Sequence, residues 1–282
     1  MTETAFLFGT VGAPISTPKK PGGSVGAVLH MAELGLSAME LGWVQSVRVS
    51  EETCRAIKAA SEEANVRLSV HAPYYINLNA TEDEWGKSRQ RLMDAAYYGY
   101  LAGATDIIFH PGSYFGKPVV EVLEVALPRL LSCAKELADR SIQVTLRPET
   151  MGKSAMLGSL EDTLLMSQID GDVLPCLDFA HLHARRGDGS MNSFEEWSTN
   201  LEMYTESLGK ESLKHLHIHL SGIEYGPKGE KEHLPIQQSD MDVEALYRAL
   251  IKFECGGRIL CESPLMEQDA LYLRDLWHRM NG

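Results

Sequence analysis

Residues 213–222 read LKHLHIHLSG, which places His215, His217 and His219 at alternate positions in a chain of 282 residues with ten histidines. Leu216, Ile218 and Leu220 bracket them, so the run reads as a buried strand, in which residues i, i+2 and i+4 project to one face. The three imidazoles then point the same way, spaced roughly 6.6 Å along the strand. An imidazole on a crowded face is either a hydrogen-bonded core residue or a metal ligand. What else converges there decides between them.

Similar β-rich runs recur along the chain: AFLFGT (5–10), AMELGWV (38–44), RLSVHA (67–72), DIIFHPG (106–112), IQVTLRPE (142–149), VLPCLDFAH (173–181), LKHLHIHL (213–220) and RILCESP (258–264). Amphipathic segments such as 50–65, 119–140 and 193–209 lie between them, with apolar residues at three- and four-residue spacing and a Ser or acidic residue near the start. Eight strands alternating with helices predict an α/β fold, a (β/α)8 TIM barrel. No Pro/Gly/Ser-rich linker divides the chain, so a single barrel domain is expected over residues 1–282. The 44% apolar content allows a large core.

Five cysteines, Cys54, Cys133, Cys176, Cys255 and Cys261, form no CxxC pair, and an odd, sparse set argues against a disulfide framework. The N-terminal stretch MTETAFLFGTVGAP has neither the basic start nor the apolar run of a signal peptide, and no stretch approaches a membrane span. A soluble, cytoplasmic protein with reduced thiols is expected. The net charge of −13 would repel nucleic acid if spread evenly. Its distribution is uneven, however. Lys19, Lys20, Lys117, Lys153, Arg185, Arg186, Lys228 and Lys231 follow the strands, whereas much of the acid sits in helical segments such as 50–65. Basic loops on one face would meet phosphates.

The strand ends carry the chemistry. His71, His110, Glu149, Asp178, His219 and Glu262 stand at or just after the C-terminal ends of successive strands, about one per βα unit. Barrel enzymes build their active sites at that face. Burying several carboxylates and imidazoles together is costly unless a cation pairs their charge, and a divalent metal does so well. Histidine and carboxylate donors without cysteine suit zinc, with manganese or iron as competitors.

SVHAPYYINL (69–78), IIFHPGS (107–113), RPETMGK (147–153), CLDFAHLHA (176–184), HIHLSG (217–222) and ILCESP (259–264) together resemble endonuclease IV. This is apurinic/apyrimidinic endonuclease family 2 of the xylose-isomerase-like TIM barrel superfamily. The resemblance covers nearly the whole chain and implies three metals, usually zinc. His71 and His110 would bind one, Glu149 would bridge it to a second, and Asp178, His219 and Glu262 would complete that second site. His181 and His233 would hold the third, with Tyr74 entering DNA at the lesion. The family's Asp-x-His motif falls in GEKEHLPI (229–236), where Lys231 stands in the aspartate's place. Glu230, Glu232 or the Lys231 ammonium would then take that role, or the cluster would hold two metals.

The implied reaction is hydrolysis of the phosphodiester 5′ to an abasic site in double-stranded DNA by a metal-activated hydroxide, leaving a 3′-hydroxyl. Glu149 and Glu262 would serve catalysis, and Arg185 and Arg186 would contact DNA. Gln45 and Arg48 are candidates for the family's second DNA-penetrating residue. The reading is of a DNA-repair hydrolase, cytoplasmic or at the nucleoid, and monomeric. His219, nearest the strand end, is the expected ligand, while His217 and His215 are expected in deeper, supporting layers. The alternative on the same barrel is a sugar isomerase or epimerase with one divalent metal.

Overall fold

The computed structural model describes residues 6–282, so Ala5 of the first expected strand lies outside the described residues. Among these residues eight parallel strands follow one another round a barrel: β1 (Phe6–Val11), β2 (Ala38–Gly42), β3 (Arg67–His71), β4 (Ala104–Phe109), β5 (Thr145–Pro148), β6 (Cys176–Asp178), β7 (Leu216–Leu220) and β10 (Gly257–Cys261). A separate antiparallel hairpin, β8 (Gly222–Gly226) and β9 (Gly229–Leu234), rises from the end of β7. The continuous ladder runs β5-β4-β3-β2-β1-β10-β7-β6. Two isolated bridges, Leu146 to Val173 and Glu149 to Cys176, join its ends. The seam falls at the two shortest strands, where Pro148 and Pro175 have no N–H to give to the ladder. The result is the nearly closed (β/α)8 barrel that the alternating pattern predicts.

The helices begin where side chains can accept their free N–H groups. The Ser50 hydroxyl accepts from the Thr53 amide at the start of Glu51–Ala64, and Ser193 forms a capping box with Glu196 at the start of Phe194–Leu208. Asn65 ends the first of these in the left-handed region at φ 52°. No helix among the described residues is long and apolar enough to cross a membrane.

Polar side chains occupy the barrel interior from floor to mouth, alongside buried Ile108 and Leu260. Register sets Glu40 beside Ser69, Ser69 beside Asp106, and His217 between Cys176 and Arg258. On the floor, Asp106 meets Arg147 Nε at 2.5 Å and Arg258 Nη2 at 2.8 Å. Arg147 also donates to the carbonyls of Pro175 and His215, each at 3.0 Å. That contact corrects the expectation for His215. It ends the 3₁₀ turn Lys210–His215 with its ring exposed below the barrel, because the strand begins only at Leu216. His217 is fully buried.

Burial opposes ionisation of Asp106, but the guanidinium groups of Arg147 and Arg258 outweigh it and hold the carboxyl well below the usual range. A carboxyl depressed in the folded state stabilises above its unfolded pKa of about 4, and that contribution is lost as pH falls. Asp106→Asn leaves both arginines without a counter-charge, at a cost of about 3–5 kcal/mol. Thermal melts should show a lower Tm for the variant at pH 7, with the gap to the parent narrowing as pH drops below about 4.

Candidate metal centre

Glu149 is the hub. The Glu149 amide donates to Phe109 O at 3.0 Å just past the end of β5, which places the fully buried carboxylate on the barrel axis side. Its Oε2 lies 3.2 Å from His71 Nε2 and 3.4 Å from His110 Nε2. Its Oε1 lies 3.4 Å from both His181 Nδ1 and His219 Nδ1. Asp178, at the end of β6, caps the helix Phe179–Arg185: Oδ1 accepts from the His181 amide at 2.7 Å. Oδ2 is left facing the cluster. Glu262 follows β10, with Oε1 3.6 Å from His219 Nδ1 and Oε2 3.9 Å from His233 Nε2.

All eight expected ligands therefore line one region, in three sets whose donor atoms lie within 4.8 Å of one another: His71, His110 and Glu149; Glu149, Asp178, His219 and Glu262; and Asp178, His181 and His233. Glu149 and Asp178 each belong to two sets. A cavity of about 540 Å³ opens over them, walled by Tyr74, Met151, Glu230, Gly12 and Gly42.

The rings are aimed by the backbone. His71 Nδ1 donates to Ala72 O and His181 Nδ1 to Thr150 O, both at 2.9 Å, which turns Nε2 of His71 toward Glu149 and Nε2 of His181 toward Glu230. Burial disfavours charge on His71, yet the hydrogen bond and charge of Glu149 raise it to about 9. Burial also opposes protonation of His181 and His219, which neighbouring groups nonetheless draw well above the ordinary value, with Asp178 and Glu149 acting on His181 and Cys176, Glu40 and Glu262 on His219. Asp178 and Glu262 are pushed up, by burial first and by the Glu149 charge. Burial pulls His233 down. Glu149 Oε2 and Asp178 Oδ2 are buried without a hydrogen-bond partner. This donor set, dense in acid and short of fixed cations, fits divalent metal.

The hairpin answers the question posed by Lys231. Glu224 pairs with Glu232 and Tyr225 with Glu230, so Lys231 is the extra residue of a β-bulge. Its ammonium turns outward to Glu224 Oε1 at 2.7 Å, and it is not a stand-in for a cation at the cluster. The bulge shifts the alternation, so Glu230 and His233 both wall the cavity although three residues apart. Glu230 Oε2 lies 3.6 Å from His181 Nε2, and the His181 and His233 ring centroids are 5.3 Å apart. Gly152 makes room: a Cβ there would stand 2.8 Å from Glu230 Oε2 and 3.0 Å from His181 Cδ2. Glu232 is exposed. Tyr225 and buried His183 share Asp240, at 2.6 and 3.0 Å, and tie β8 to the helix bearing His181.

Tyr74 stands half-exposed above the cluster, stacked on His110 with centroids 4.9 Å apart. Burial and the Glu262 and Glu149 charges push its phenol up to about 12, so it stays neutral. Arg185 is placed differently from its expected role. Its guanidinium donates to the carbonyls of Met151, Lys153 and Met156 and so clamps the loop after β5. Arg186 is exposed, as are Gln45 and Arg48, and none of the four lines the cavity. Lys19, Lys20, Lys117, Lys153 and Lys228 are exposed and pair with no acidic group among the described residues.

The model of the xylose isomerase-like TIM barrel family matches residues 28–277. The chain belongs to the xylose isomerase-like TIM barrel family. Within it, an uncharacterized protein of Methanocaldococcus jannaschii is 36% identical over 283 residues, covering 99% of each chain. Endonuclease 4 of Thermus thermophilus is 28% identical over 265 residues, covering 90% of this chain and 92% of the relative. A solved D-tagatose 3-epimerase-like protein superposes with a TM-score of 0.72 at 16% identity over 96% of this chain and 98% of its own, which shows the shared fold. A shared fold does not fix the chemistry, and the side chains at the strand ends must decide it.

Metal analysis of the purified chain and its variants tests the geometry. Glu149→Gln should lower the content by at least one equivalent. Glu230→Ala should remove only the metal at His181 and His233, and Lys231→Ala should leave the content unchanged. Loss of metal from the Lys231 variant but not the Glu230 variant would reverse the assignment.

Proposed function

We propose that the chain is a divalent-metal-dependent hydrolase that cleaves double-stranded DNA 5′ to abasic sites, leaving a 3′-hydroxyl, as an intracellular, monomeric enzyme of base excision repair. The observation that carries this reading is the sharing of Glu149 and Asp178 between donor sets. Such sharing suits two or three cations held close together, the arrangement phosphoryl transfer uses. Proton transfer at a sugar carbonyl needs one. The 28% identity to an Endonuclease 4 over nine-tenths of the chain supports the same choice. Zinc suits these donors, with manganese and iron as competitors.

Bound divalent metal supplies an acidified water and neutralises the attacking and leaving oxygens of the phosphodiester. The chain's own groups do the rest. Glu149 fixes the spacing of the donor sets. Glu262, with its raised carboxyl at the cavity wall, accepts a proton from the attacking water at Oε2. His233, kept neutral by burial, turns Nε2 toward Glu262 Oε2 at the cavity wall, 3.9 Å away. Tyr74 fills the gap left by the missing base, where extruding the sugar costs least. The exposed lysines of the surrounding loops meet the flanking phosphates, which reconciles DNA binding with the acidic total.

Incubation with a duplex carrying one tetrahydrofuran abasic analogue, before and after chelation, tests the proposal. Incision 5′ to the analogue that chelation abolishes and zinc or manganese restores is the expected result. Intact DNA from fully metallated protein, together with solvent proton exchange into a ketose, would assign the barrel to sugar epimerisation instead. Tyr74→Ala should reduce incision roughly tenfold through weaker DNA binding, with metal content unchanged, given stacking worth about 1–3 kcal/mol per base.

A further inference from the structure

Below the cluster lies a second polar layer that the proposed reaction does not use. Glu40, on β2, is fully buried, and its strand neighbours Ala38, Met39 and Leu41 are buried apolar residues. Its Oε2 accepts from Ser69 Oγ at 2.8 Å and meets His217 Nε2 at 2.9 Å. These two contacts aim the other oxygen. Oε1 faces His219 Nε2 at 3.1 Å as a charge contact, and neither atom has a hydrogen-bond partner.

His219 therefore spans two layers. Its Nδ1 looks up at Glu149 and Glu262, and its Nε2 looks down at Glu40. A neutral imidazole carries one proton. The two carboxylates above would draw that proton to Nδ1, where it would remove the lone pair that a metal needs. A carboxylate below competes for it, and a carboxylate on the far nitrogen also makes the ring a stronger donor. Burying an acid in a barrel core is otherwise unfavourable, and the floor beneath already has its own ion pairs in Asp106, Arg147 and Arg258.

We infer that Glu40 is a positioning residue of the metal centre, holding His219 as the Nε2–H form so that Nδ1 faces the second donor set as a ligand. The inference rests on the metal reading above. Glu40 touches neither metal nor DNA and acts through the His219 ring alone.

Cobalt titration of the metal-stripped full-length protein against a competing chelator, followed by the visible spectrum and by thermal melts, tests it. The parent should bind two or three cobalt ions. Glu40→Gln should weaken one of them about 10–100-fold, leave the spectrum of the others unchanged, and still melt cooperatively. Ser69→Ala, which removes one of the two contacts that aim Glu40 but keeps the charge and the His217 contact, should weaken that ion far less than Glu40→Gln even if it melts earlier. Glu40→Asp keeps the charge but draws it back from His219, so it should weaken the same ion to a lesser degree. It carries the test if the glutamine variant does not fold. Affinities unchanged in Glu40→Gln, or weakened at every site in step with Tm, would overturn the inference. A thiolate-to-cobalt charge-transfer band from Cys176 would also overturn it, since the lower layer would then hold metal itself. No cobalt uptake by the parent would instead overturn the metal reading on which it rests.

Discussion

Glu149, sealed from solvent and facing four imidazoles at 3.2–3.4 Å, imposes the constraint to which the rest of the barrel answers. A buried carboxylate needs positive charge beside it. The chain meets this need in two ways at opposite ends of one interior. On the floor, Asp106 is paired with Arg147 and Arg258, whose guanidinium groups stay charged at any physiological pH. At the mouth the partners are imidazoles, which can exchange a proton for another cation. The permanent pairs close the end that does no chemistry, and the exchangeable ones occupy the end that opens to solvent.

Much of this was legible in the sequence, for a physical reason. A strand end repeated once per βα unit samples the same place on the barrel rim, so six metal-capable residues in phase had to meet. The helices at Glu51–Ala64 and Phe194–Leu208 were equally legible, because Ser50 and Ser193 stand where their caps belong. Less was readable where a side chain's partner is remote in sequence. Glu40 sits 177 residues from His217, and nothing in AMELG says that its acid turns inward. Arg185 reads as a basic loop residue, yet its partners are carbonyls about 30 residues away. His215 follows the alternation of its strand on paper, but it still belongs to a 3₁₀ turn and the strand begins one residue later.

The same frame carries different chemistries among its relatives, and this chain shows which parts are free to differ. The strands fix where an inward side chain starts, and the loops after β5 and β7 decide what reaches over the mouth. Here those two loops are docked on each other: the Glu230 amide donates to Gly152 O at 2.9 Å, and Arg185 clamps the loop after β5 from behind. Glycine at 152 and 229 permits that contact, since a Cβ on Gly229 would fall 2.2 Å from Gly152 O. The lid of the cavity is thus a stitched unit.

The bulge at Lys231 gives that unit an unusual kind of heritable variation. In an unbroken strand, exchanging one ligand for its neighbour turns the new side chain to the wrong face, so substitution alone cannot move a donor by one position. One added residue reverses the parity of everything beyond it. A single-codon insertion or deletion in such a hairpin can therefore trade an aspartate two places before a histidine for a glutamate three places before it. The motif would be lost from the sequence while an acid stays within reach of the same imidazoles.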